Sequence, residues 1–179
     1  MTLITTLTPT QVFIFGSNST GFSCSGSAGT AIRGYPQCKV PWREDPWVYR
    51  ALRAPVGDIA RIGHWGVFGV SRGFSKGHYG MSYAIETVRH PGQRRSTPLQ
   101  EIEDQLVVMC FFCDEHQGWE FLMTAVGSAL AGWTEDEMLD TFLAALARYQ
   151  IITGRGKPGN LIIPPDLYGW EWTTDETTL

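Results

Sequence analysis

The sequence predicts an α/β protein, a three-layer α/β/α domain built on a mixed, largely parallel central sheet. Three observations predict it. Short apolar runs alternate with stretches of helical periodicity, and twice an apolar run passes into a small-residue loop and then a helix start. The apolar share, 43% of the chain, is large enough to fill a core. With 179 residues the chain falls within the size range of one domain, so 1–179 reads as a single domain with frayed, Thr-rich ends. Lys and Arg total 14 against 18 Asp and Glu, a net charge of -4 that argues against tracking along an extended nucleic acid. No apolar stretch is long enough to span a bilayer, and the first residues lack a basic start or an apolar h-region. Neither a membrane partner nor an export signal is expected. Cysteines stand at 24, 38, 110 and 113, too few for a disulfide scaffold and too unevenly spaced for a zinc ribbon. A cytoplasmic setting without a metal or cofactor follows as the expectation.

Taken in order, Val12 to Phe15 is an apolar run ending at Gly16, which reads as a buried strand entering a loop. From Gly26 to Gly34, Ala28, Ala31 and Ile32 recur at spacings of three and four, suiting a short helix packed closely on a sheet. Residues 35–81 are rich in Pro, Gly and Trp and read as a loop-rich insert with short strands near 48–54 and 64–70. Ser82 to Thr87 reads as another strand. Thr97 then offers a cap hydroxyl, Pro98 the first helical position and Gln100 the third, with Leu99, Ile102, Leu106, Met109 and Cys113 marking one helix face. Trp119 to Val126 reads as a strand, and residues 127–133 form a second small-residue loop. Thr134 and Glu137 make a capping box for a helix whose Met138, Phe142, Leu146 and Tyr149 share a stripe, closed by Gly154. Asn160 to Ile163, ended by Pro164 and Pro165, is the last strand.

The doubled strand, loop and helix start carries the functional reading. Small residues let a backbone approach a ligand, and the open N–H groups of a helix start favour phosphate oxygens. In an α/β sheet both loops would lie at the carboxyl ends of strands, where nucleotides bind. Turn formation and close helix-sheet packing are the competing use of the same glycines, since neither GxGxxG nor a phosphate-loop lysine is present.

The order Phe13-Ile14-Phe15-Gly16-Ser17-Asn18, Gly21, then Gly26-Ser27-Ala28-Gly29-Thr30-Ala31-Ile32 resembles the strand, asparagine, glycine-rich turn and helix of the macrodomain. Tyr83 to Thr87 resembles the central strand of macrodomain-like proteins of bacteria and their phages. Val126-Gly127-Ser128-Ala129-Leu130-Ala131-Gly132-Trp133 is similar to that family's second loop with its trailing aromatic. The resemblance implies an ADP-ribose-type or related, cyclic signalling nucleotide as ligand. It implies Gly16, Ser17, Asn18, Gly26 and Ser27 beside the distal ribose, Gly127, Ser128, Ala129, Leu130, Ala131 and Gly132 around the diphosphate, and Trp133 or Phe74 against a ring or sugar. It also implies a role in a phage, sequestering the nucleotide in counter-defence.

Other residues have two uses each. Asn18 at a strand end suits a local side-chain turn as well as ribose binding, and is the one candidate for orienting a catalytic water. Gly73 to Gly80 reads as a mobile loop able to close over a nucleotide, with Lys76 or His78 meeting phosphate and Phe74 or Tyr79 stacking. Arg72, Arg94 and Arg95 would steer an anion or line a solvated face. Cys110 and Cys113 have redox spacing but sit late in a helix, where packing is the expected use, and Asp114-Glu115-His116 reads as a solvated corner. Trp42, Trp47, Trp170 and Trp172 lie where a core would not obviously claim them, which leaves a homo-oligomer open. Three readings result: a nucleotide binder, a hydrolase of an ADP-ribosyl bond or ADP-ribose phosphate ester, and a tryptophan-mediated interaction module.

Overall fold

The structure, a computed structural model, describes residues 3–170. The C-terminal fraying and Trp172 lie outside the described residues, whereas at the other end Ile4 and Leu7 pack against the core, so that the expected fraying does not extend to them. Strands β1 (Gln11–Asn18), β2 (Gly73–Lys76), β3 (Met81–Val88), β4 (Glu120–Leu122) and β5 (Leu161–Ile162) form one sheet in the order β2-β3-β1-β4-β5. Four of them run parallel and β2 is an antiparallel edge, the mixed, largely parallel α/β sheet that the alternation of elements predicts.

Both faces of β1 are covered, which is why its sequence is a continuous apolar run and not an alternation. Val12 and Ile14 pack on one side with α3 (Leu99–Glu115) and α4 (Glu135–Thr153), through Ile102, Leu106, Phe142 and Leu146. Phe13 and Phe15 pack on the other with Ala31 and Ile32 of α1 (Gly26–Arg33) and Val48 and Ala51 of α2 (Pro46–Arg53). The two-residue period of the strand thus divides its side chains between two cores and makes three layers. Each such side chain contributes about 1.5–3 kcal/mol by leaving water.

Several local expectations change. The strand expected at 48–54 is the helix α2, because Pro46 opens it and the Asp45 carboxylate accepts from the Trp47 N–H at 2.9 Å. Residues 64–70 hold no strand, only the end of an isolated Ile62–Val67 bridge. The loop expected at 73–80 is instead half strand: Gly73 to Lys76 pair with Ala84 to Met81, and the backbone N–H groups of His78 and Tyr79 donate to Gly63 and His64. Thr97 does not cap α3. It is buried, and its hydroxyl donates to Glu86 Oε1 at 3.4 Å, while Pro98 stands at the cap without a side-chain bond. The strand expected over 119–126 is shortened to three residues, but the Thr124 hydroxyl continues the seam by donating to the Ile14 carbonyl at 2.7 Å. At α4 the capping box is present as read, with both Thr134–Glu137 hydrogen bonds formed and Gly154 closing the helix at φ +74°. Among the described residues no helix is long and apolar enough to cross a membrane.

Candidate functional site

Parallel strands bring the chain segments after β1, β3 and β4 to one edge of the sheet. The register pairs Asn18 with Val88, so the ends of β1 and β3 are level. A Cβ on Gly16 would stand 3.5 Å from the Gly127 backbone nitrogen and 3.3 Å from the Thr87 hydroxyl. The first and second small-residue loops therefore converge on the end of the central strand.

Between them lies a cleft of about 650 Å³, lined from the first loop by Gly16, Ser17, Asn18, Phe22 and Ser23 through Ala28 and from the second by Ala129, Leu130 and Ala131. The strand after-segment supplies Thr87, Val88 and Arg94, and the insert supplies Trp42 and Arg43. Among the described residues no carboxylate and no imidazole lines it. A second, larger cavity of about 1020 Å³ adjoins it, apolar in character, with Phe13, Tyr35, Met123 and Pro164 in its walls. Ala129 lines both, while Gly26 and Ser27 face the apolar cavity and Ser25 and Ala28 the polar cleft.

The two helix starts at this edge differ. At α4 the capping box and the acids Glu135, Asp136 and Glu137 already satisfy the first turn. At α1 the Ser25 side chain makes no cap bond and no acid stands in the first turn, so its N–H groups and dipole end are available to an anion. The phosphate-favouring helix end thus belongs to the first loop, whereas the sequence pattern suggested both.

Charge at the edge is sorted in the same direction. Glu86 is buried, and burial raises its pKa, but the guanidinium hydrogen bonds and charges of Arg72 and Arg89 outweigh that and hold its carboxyl below the usual range. Arg72 Nε meets Glu86 Oε2 at 2.8 Å and Arg89 meets Oε1 at 2.7 Å, with Glu101 bonded to both arginines. Arg95 pairs with Glu137. Arg94 and Arg43, the two that line the cleft, have no carboxylate partner among the described residues. The insert that carries Arg43 is pinned by buried Arg33. That residue donates to Asp45 at 2.9 Å and to the carbonyls of Cys24 and Gln37 at 2.9 Å, and also to Val40.

The expected site residues distribute as follows. Gly16, Ser17, Asn18, Ala129, Leu130 and Ala131 line the cleft; Gly26, Ser27, Ser128 and Ala129 line the apolar cavity. Gly127 and Gly132 shape the second loop at φ +80° and +86° without lining either space. Trp133 packs against the α3 and α4 core beneath the Arg95 guanidinium, 4.5 Å away, and lines neither of the two spaces. Phe74, Lys76 and His78 fall outside the site. Lys76 is level with Met81, where β3 begins, so the segment sits at the opposite edge of the sheet, and Phe74 stacks on Phe112 and Trp119 at 5.5 and 5.3 Å. An antiparallel strand carried them away from the edge that the glycine-rich spacing suggested. Trp42 and Arg43 were not picked out as site residues, because nothing in a Pro-rich segment marks which side chains return to a distant loop.

Asn18 has a defined local role. Its Nδ2 donates to the Phe22 carbonyl at 2.9 Å, and its Oδ1 accepts from the backbone N–H groups of Thr20 and Phe22 at 3.1 and 3.2 Å. It lines the cleft as the brace of its first turn. Asn18→Ala is expected to lower stability by about 1 kcal/mol, since half-buried backbone groups of the turn lose their partners. Urea denaturation measures it, and a variant as stable as the parent would refute the brace.

The remaining candidates are structural. Cys110 and Cys113 are fully buried, and burial pushes the Cys110 thiol up to about 12 and Cys113 further, the opposite of a reactive thiolate. Asp114 accepts from the Tyr149 hydroxyl at 2.6 Å and from Arg155 at 2.5 Å, and His116 is stacked between Phe112 and Trp119. Trp42 meets Phe22 edge-on at 4.9 Å and Trp47 meets Phe68 at 6.0 Å, so the insert's tryptophans close the α1 and α2 core, while Trp170 is 45% exposed. No family model matches this chain, and neither a curated protein nor a solved structure matches it.

Proposed function

We propose that the protein binds an ADP-ribose-type nucleotide across the two adjoining cavities. The observation that carries the reading is the polar cleft at the carboxyl edge of the parallel sheet. It has an uncapped helix start on one side and Arg94 on the other, with neither a carboxylate partner for Arg94 nor an acid in the lining among the described residues. Such a surface favours a phosphate on electrostatic grounds, and the mainly apolar cavity that shares Ala129 with it suits a base. The sequence resemblance to macrodomain-like proteins supports the same ligand class and the sequestration of a signalling nucleotide in phage counter-defence.

Binding is favoured over hydrolysis because no lining side chain of the cleft is a general base: Asn18 is engaged as a brace and Glu86 is bound by two arginines. Sequestration needs no such group. ADP-ribose is expected to raise the melting temperature in proportion to the logarithm of its concentration once above the Kd. Arg94→Ala is expected to weaken calorimetric affinity by at least about tenfold, the loss of one charge-assisted hydrogen bond to phosphate. A melting temperature unmoved by millimolar ADP-ribose and adenine or guanine nucleotides would overturn the proposal.

A further inference from the structure

The nucleotide reading leaves the wall that the insert contributes to the polar cleft unused, and that wall has its own construction. Trp42 and Arg43 sit on a single 3-10 turn of the insert, Trp42–Glu44. The Arg43 guanidinium lies over the Trp42 indole, 4.3 Å from its centroid, and Phe22 meets the same indole edge-on. Because Arg33 ties this segment to α1 and to Cys24, the stack is carried by a fixed wall.

A guanidinium already laid over one ring presents its outer side to a second, and a nucleobase is well matched to it in both stacking and hydrogen-bond acceptors. The two linings together offer three chemistries: a mainly apolar chamber with Asp166 in its wall, the Arg94 cation in the cleft, and an arginine-on-indole platform. The chamber of about 1020 Å³ and the cleft of about 650 Å³ together exceed the roughly 300–1,000 Å³ of an ordinary small-ligand pocket. Ala129 stands in the wall of both spaces, and the side chain of the neighbouring Leu130 is 70% exposed, so it is free to give way to a long ligand.

Resting on the nucleotide reading, we propose that the site takes a dinucleotide: two bases joined through a central diphosphate, with the second base laid on the Trp42–Arg43 stack. The ligand class is that of dinucleoside polyphosphates, and the insert is what selects it.

Diadenosine diphosphate and ADP-ribose share an adenosine, a diphosphate and a distal ribose and differ by the second adenine, so the ratio of their affinities for the full chain isolates the platform. Titration calorimetry is expected to show diadenosine diphosphate bound about tenfold or more tightly than ADP-ribose, the usual effect of one stacked base. In Arg43→Ala, whose exposed side chain can be removed without loss of melting temperature, that ratio is expected to fall to within about twofold of one. A ratio near one in the parent protein, or a ratio that survives Arg43→Ala, overturns the dinucleotide proposal while leaving the nucleotide reading in place. Binding of neither compound overturns both.

Discussion

Glu86→Gln is expected to destabilise the protein by about 2 kcal/mol in chemical denaturation, below the 3–5 kcal/mol of a fully buried pair because both arginines reach solvent. Glu86 has 3% of its side chain exposed, against 44% for Arg72 and 36% for Arg89. The glutamine keeps the shape and the contact with Thr97 but removes the charge that ends two guanidinium bonds. The pH dependence has a definite sign. Since the folded carboxyl titrates below the ordinary 4.5, its contribution is fully present above that value and is lost as pH falls through the depressed folded pKa. Parent and variant should therefore differ by a constant amount from neutral pH down to about pH 5, and converge in more acidic solution. A gap that is flat to the acid limit would mean that the ion pairs contribute nothing.

Gly127→Val has the larger effect, for two reasons that add. The position has φ +80°, and a Cβ there would lie 2.4 Å from the Met138 sulfur and 2.8 Å from its methyl carbon. A branched residue in that backbone region costs about 1–2 kcal/mol and overpacking of a filled core about 1–3 kcal/mol more. The variant should lose about 2–5 kcal/mol in urea denaturation, along with any ligand affinity at the second loop. A melting curve matching the parent would show that the loop rearranges freely and is no fixed part of the site. Gly132 differs in kind: its Cβ would meet the Arg94 side chain at 2.6 Å, so substitution there disturbs the proposed phosphate contact before it disturbs the core.

What could be read in advance depended on whether the signal was local. The α4 helix was legible because Thr134, Glu137 and Gly154 punctuate it with groups that act within a few residues. The β1, loop and α1 unit was legible for the same reason. α2 was missed because its cap, Asp45, and its first residue, Pro46, look like one more proline in a run of prolines. The edge strand β2 was missed because Gly73, Phe74, Ser75 and Lys76 become a strand only against β3. Likewise Thr97 has every local mark of a cap, yet a buried carboxylate eleven residues earlier takes its hydroxyl. Of the site, the halves carried by each loop were readable and Arg94 stood out as an anion-steering cation, while Trp42 and Arg43 reach it from a segment with no pattern of its own.

The central place of β1 bears on how the chain must assemble. This strand precedes both of its partners in the chain: β3 lies some seventy residues later, and β4 about forty beyond that. Until Val88 has been made, the apolar run Val12 to Phe15 has both hydrogen-bonding edges open, and the edge that takes β4 stays open until Leu122, with the α3 and α4 face uncovered longer still. Contacts of such long sequence separation make folding slow relative to a helical bundle of equal stability. During synthesis, then, the segment at greatest hazard of pairing with a neighbouring nascent chain is the one that ends up best protected, and dilution or chaperone capacity should govern yield more than the stability of the finished protein does.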